Sequence, residues 1–244
     1  RVLIPMAEVT YADGGRWGQW ADGGGSSLEL IDPRADPAHP SNWADSNESE
    51  KGVWTLVEHT GVMDNSIGDP SYGPVMLQLF MEGVGECLVD DVEVIGPGGT
   101  NRVVNGNFEA GLNGWFAQGS HSRSSLATDA GVEGSQCLHV RADSRGDPGA
   151  NRIRVNVARG LTDGDTVTLR ARVRWLRGFP EFLMRLRGNS LEAFARLETS
   201  SHLGTPGAAN SRRVAAAPPA IYEVTHSPIL PAADQPVVVT ARFE

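Results

Sequence analysis

A single lysine, two cysteines and no apolar run near 18 residues are what this 244-residue chain has least of. The short apolar runs exclude a helical membrane span, so no membrane insertion is expected. Cys87 and Cys137 fit no metal or redox spacing, which leaves either one disulfide or two buried thiols. Apart from Lys51, every one of the 21 basic residues is arginine; this skew tracks a GC-rich bacterial genome and carries no mechanism. The six histidines, at 39, 59, 121, 139, 202 and 226, are scattered. There is no H-E-x-x-H pattern and no G-x-S-x-G elbow. The net charge of −9 argues against a nucleic-acid partner. The opening Arg1-Val2-Leu3-Ile4 has neither a starting Met nor a leader, and reads as the start of a mature or excised piece.

What is present points to β structure. Hydrophobic residues make up 40% and charged residues 21%, a globular balance. The 29 glycines and 15 prolines favour many turns and short strands over a helical bundle. Alternation of apolar and polar residues predicts strands at 27–31, 53–58, 75–81, 86–95, 137–141, 152–157, 166–175 and 182–187. Residues 191–198 fit a strand or one helical turn. Turn signals stand at 145–149, 162–165 and 187–190.

Charge divides the chain. Residues 1–100 hold 4 basic and 17 acidic side chains, and residues 101–244 hold 17 basic and 13 acidic. With Gly96-Pro97-Gly98-Gly99 at the step, this predicts an acidic β-sandwich over 1–97 and a second over 98–202. Residues 203–220 read as a linker. Strands at 221–225 and 236–243 would open an incomplete immunoglobulin-like domain within 203–244. A faint repeat relates Leu28-x-Leu30 and Arg34-x-Asp36-Pro37 to Leu138-x-Val140 and Arg145-x-Asp147-Pro148. It reads as a duplicated domain or as two unrelated strand-turn pairs.

The segment Asn105-Gly106-Asn107-Phe108-Glu109-Ala110-Gly111-Leu112-Asn113-Gly114-Trp115 resembles the opening of carbohydrate-binding modules of the 4/9/22 type, within the galactose-binding-like jelly-roll group. The Gly134-Ser135-Gln136-Cys137-Leu138-His139-Val140 stretch and residues 166–175 extend the resemblance over about 105–198. The Asp-Asp-Val strand that closes such modules stands instead upstream, at Val89-Asp90-Asp91-Val92. Residues Gly204, Thr205, Pro206, Gly207 and Asn210 resemble the tail of bacterial lamin-tail-type β domains. The resemblance implies an all-β chain of two tandem sandwiches plus a partial C-terminal element. It also implies a secreted or surface bacterial protein with further domains in a longer parent chain, and a structural Ca²⁺ near Glu109. Asp90 interrupts an apolar strand, so it needs a β-bulge, a cation or a bonding loop.

A sugar site needs flat rings beside groups that bond hydroxyls. Trp43, flanked by Asn42 and Asp45, is the leading candidate, with Trp17 and Trp20 in a glycine-rich stretch as reserve; each ring reads as either site or core. Phe108, Trp115 and Trp175 read as core. Arg170, Arg172 and Arg174 share one strand face, as do Arg152 and Arg154, and Arg185 and Arg187. Three readings fit: solvated faces with interleaved acids, docking on the acidic half, or a groove for an acidic polysaccharide. The expected function is non-catalytic polysaccharide binding. A structural spacer without ligand comes next, and then a polysaccharide-active enzyme using Asp45, Glu48 and Glu50.

Overall fold

The structure, a computed structural model, describes residues 7–64, 76–146 and 150–243. Among these residues the chain is all-β, with isolated 3₁₀ turns as its only helical elements. In chain order the strands are β1 (Leu28–Leu30), β2 (Trp43–Asp45), β3 (Trp54–Val62), β4 (Met76–Met81), β5 (Gly85–Ile95), β6 (Trp115–Gln118) and β7 (Ser125–Ala127). They continue as β8 (Cys137–Ala142), β9 (Arg152–Asn156), β10 (Thr166–Gly178), β11 (Glu181–Leu186), β12 (Glu192–Arg196), β13 (Ile221–Ser227) and β14 (Val238–Phe243). The ambiguous segment at 191–198 is therefore a strand. The run Val2-Leu3-Ile4, Val75 and the turn residues 147–149 lie outside the described residues.

Two five-stranded antiparallel sheets, ordered β3-β10-β5-β8-β7 and β12-β11-β4-β9-β6, share one core. Their inward side chains include Val89, Leu138, Leu169, Ala171 and Val173 from the first sheet, and Leu77, Leu79, Ile153, Phe182 and Met184 from the second. Phe108 and Trp115 pack ring to ring at 5.0 Å within that core, and Trp175 joins it, as expected. Fully burying one such ring contributes about 1.5–3 kcal/mol.

The strand order corrects the expected domain limits. β10 pairs with β3 on one side and β5 on the other, so residues on both sides of position 97 build the same sheets. The physical reason is visible in β4: all six of its residues are buried. A strand buried on both faces must be central, and β4 lies between β9 and β11. The Gly96–Thr100 stretch is a tight reversal closed by Gly96 N–H to Thr100 O at 3.0 Å. The charge step becomes cross-strand pairing: Arg170 sits opposite both Glu58 and Glu93, and Arg172 contacts Asp91 at 3.5 Å.

The two cysteines are buried and unbridged. Cys87 points into the inter-sheet core, whereas Cys137 packs on the outer face with Leu88 and Leu176, so the sheet separates them.

The chain divides into two compact units. The sandwich comprises residues 23–25 and 48–203; the other, a split unit, comprises 1–22, 26–47 and 204–244. Within the split unit β1 pairs with β2, and β13 with β14. The supposed linker at 203–220 belongs to it from Gly204 onward. Thr205 Oγ1, Ser211 Oγ and Arg212 N–H all donate to the buried Glu29, Asn210 Nδ2 donates to Leu30 O, and Val214 N–H donates to Ile31 O. Burial pulls the Glu29 pKa up, but these bonds outweigh it and hold it below its ordinary value. Asp32 works similarly: Arg34 side-chain and backbone bonds, joined by Ala217 N–H, bring it down to about 2. β1 and β8, the two halves of the suggested repeat, thus sit in different units and different sheets.

Candidate functional site

The split unit carries a groove of about 570 Å³ lined by Trp17, Tyr222, His39, Arg16, Ser41 and Glu223, among others. Local sequence builds it. Pro40 opens a 3₁₀ turn over Pro40–Asn42 that leads into β2. On the other wall, β13 is broken by a bulge: its register with β14 shifts between Tyr222 and Thr225, and Glu223 has φ of +49°. Bulges re-aim side chains, and a non-glycine residue held in the left-handed region is a marker of local strain that can serve a site.

Aromatic rings cluster here. Trp17 is half-buried, with Trp43 at 6.3 Å and Tyr11 at 6.4 Å; His39 packs on Tyr222 at 5.4 Å. Tyr11 is 74% exposed. The rim is polar: Arg16 donates to Ile221 O, and Glu223 pairs with Arg242 at 2.9 Å. Flat rings with hydroxyl-bonding groups on the rim form a surface on which a pyranose can stack.

Of the expected sugar residues, Trp17 lines this groove and Trp43 packs against it. Trp43 itself is half-buried, its indole N–H donating to Pro37 O at 2.8 Å. The others serve the framework. Trp20 is buried. Asn42 is also buried; its amide donates to Asp36 O. Asp45 accepts the backbone N–H groups of Trp20 and Ala21 at 3.1 and 3.0 Å. Gly18 makes that possible, since a Cβ there would lie 2.4 Å from the Asp45 carboxylate. The short Asx side chains are spent on their own loop, which their sequence neighbourhood did not disclose. Sequence reasoning missed His39, Arg16, Tyr222 and Glu223; the Ile221-Tyr222-Glu223-Val224-Thr225 stretch was legible as a strand, but not what it faces.

The expected calcium residues do not form a donor set. Asp90 is buried, and its carboxylate accepts Asp91 N–H, Val132 N–H and Ser135 Oγ–H. Glu109 is exposed and accepts Gln136 N–H at 2.9 Å. Both carboxylates thereby fasten the same loop at 132–136. Asp91, at φ +49° where β5 slips register against β10, supplies the bulge that Asp90 required. Among the described residues, no three His, Cys, Asp or Glu side chains converge as a metal site. Of the suspected catalytic carboxylates, Asp45 is committed as above and Glu48 pairs with Lys51 at 3.0 Å.

The sandwich holds a separate cleft of about 600 Å³ on its first sheet, lined by Leu56, Asp91, Glu93, Asn107, Arg170 and Arg172, among others. Its arginines are matched by carboxylates: Arg170 bonds Glu93 and Arg172 reaches Asp91. Among the described residues no helix is long and apolar enough to cross a membrane. No protein-family model matches the chain, and no curated protein or solved structure matches it either.

Proposed function

We propose that the chain is a non-catalytic carbohydrate-binding region, and that the split unit's groove takes the sugar. The observation that carries this reading is the placement of Trp17 and Tyr222 along one groove of about 570 Å³ with Arg16, Ser41 and Glu223 at hand. That volume falls in the usual range for a small-ligand site. The rings supply apolar contact to the C–H face of a pyranose, and the rim supplies donors and acceptors for its hydroxyls. The resemblance at 105–115 supports the same reading and an extracellular setting within a longer chain.

Glycan arrays and insoluble-polysaccharide pull-downs with the whole chain test this. Trp17→Ala and Tyr222→Ala should each weaken binding tenfold or more, about 1.4 kcal/mol, at an unchanged melting temperature. The spacer reading is favoured by the internal use of Trp20, Asn42 and Asp45. Absence of any glycan binding would favour it instead, and binding indifferent to both substitutions would place the sugar outside this groove.

A further inference from the structure

The sandwich's second sheet presents an outer face unlike that of its first. Strand register lays Phe116, Arg154, Gln78, Arg185 and Glu192 in one row across β6, β9, β4, β11 and β12. One step along, Gln118 stands opposite Arg152, and Phe80, Leu183 and Phe194 continue across the other three strands. The intervening residues Leu77, Leu79, Ile153, Val155 and Met184 point into the core, so these rows share the outer face. Arg187 follows on the same parity, its N–H donating to Met76 O at 2.9 Å.

Among the described residues, the strands and their ends place five arginines (152, 154, 185, 187, 196) and three glutamates (82, 181, 192) on this face, Glu82 being paired with Arg145 at 3.0 Å. Glu181 pairs with Arg196 at 2.9 Å and Glu192 with Arg185 at 3.3 Å, on β11 and the edge strand β12. Arg154 is held by neutral groups: its Nε donates to Gln118 Oε1 at 3.1 Å, and its guanidinium lies 4.5 Å from the Phe116 ring centre. Arg185 lies 5.0 Å from the Phe80 ring in the same way. The Arg152 pKa is lowered by burial first, and then by the charges of Arg187, Arg154 and Arg185. Arg152, Arg154, Arg185 and Arg187 therefore neighbour one another, Arg154 and Arg185 oriented by rings and Arg185 also paired with Glu192. Like charges on one sheet face cost free energy unless something offsets them.

We propose that this face binds an acidic polysaccharide, one whose sugars carry carboxylate groups. The planar guanidinium fork matches a carboxylate bidentately. Phe116 on β6 and Phe194 on β12, 50% and 57% exposed, stand at opposite edges and offer rings to the apolar sugar faces. Four inter-strand spacings of about 4.8 Å put them roughly 19 Å apart, a span for several sugars rather than one. Nucleic acid is the weaker fit: duplex binding commonly engages about 6–10 phosphates, and the chain's net charge of −9 opposes a dense polyanion. This site goes beyond the split unit's groove, lying in the other unit and taking a charged sugar.

The test is titration of the whole chain with polygalacturonate, with neutral xylan and single-stranded DNA as controls. Polygalacturonate should bind, more weakly at high salt. Arg154→Gln with Arg187→Gln should reduce that binding tenfold or more, and Phe194→Ala should reduce it at least threefold. Phe194→Ala sits on an exposed edge position and decides the matter should the double variant not fold. No binding of polygalacturonate, equal binding of DNA, or full binding by the variants that fold overturns the proposal.

Discussion

His121 should make the sandwich acid-sensitive in a defined window. The ring is fully buried at the end of the 3₁₀ turn Gly119–His121. Its Nε2 accepts Met81 N–H at 2.9 Å, so the proton of the neutral ring sits on Nδ1, facing Ser120 Oγ at 3.1 Å. Burial, only partly offset by the Asp143 charge, lowers its pKa from 6.5 to about 4. Above pH 6.5 both folded and unfolded states hold the ring neutral, and stability is at its full value. Between 6.5 and about 4 the unfolded chain takes up a proton that the folded chain refuses, so stability falls with pH. At about 1.4 kcal/mol per pH unit, the loss comes to about 3 kcal/mol. Urea unfolding of the chain and of His121→Gln, from pH 7.5 to 4.0, measures it. The glutamine amide oxygen can still accept Met81 N–H but does not titrate. Asp90, whose pKa burial raises, acts in the opposite direction, so the readout is the difference between the two proteins. Parallel stability curves between pH 6.5 and 4 would refute the reasoning.

The remaining expectations concern the 105–115 region. Gly106→Ala would place a Cβ 1.9 Å from the Val92 carbonyl oxygen, a backbone atom that cannot move aside. A loss of about 3 kcal/mol is expected, read as a fall in melting temperature of about 2–4 °C per kcal/mol for a unit of this size; an unchanged melt would mean that β5 and the loop are not in contact. Melting curves in chelator and in excess Ca²⁺ should superimpose, because the Asp90 and Glu109 carboxylates are taken by the 132–136 loop. A higher melting temperature with Ca²⁺ would reveal a site that mass action stabilises.

Alternation in the sequence was sufficient for the long strands. In β10 the run Val167, Leu169, Ala171, Val173 is wholly buried while Arg170, Arg172 and Arg174 face outward. The three-residue strands β2 and β7 and the four-residue β6 are too short to show a period and were not anticipated. Pairing was out of reach for a different reason. Arg170 meets Glu58 and Glu93 only because β10 inserts between β3 and β5, and composition does not report which distant strands become neighbours. Residues 204–212 looked like a linker because Thr, Pro, Gly and Ser dominate them. Their hydroxyl and amide donors in fact serve Glu29, far back in the chain. Trp17 was found because its glycine-rich setting is local; its neighbour across the groove, Tyr222, is not.

The split unit has a consequence in time. Glu29 is made early, yet among the described residues the donors to its buried carboxylate, Thr205, Ser211 and Arg212, lie beyond Gly204. A ribosome working at about 5–20 residues per second must add the 156 residues from Glu48 to Leu203 first, a delay of roughly 8–30 s. Within that interval the sandwich has its own wait, because β3 and β5 stay unjoined until β10 emerges. The nascent chain thus finishes its inserted unit before the unit that surrounds it in sequence. A ribosome that stalls near residue 203 leaves behind a complete sandwich attached to a segment with a stranded carboxylate, the sort of exposed fragment that proteases remove.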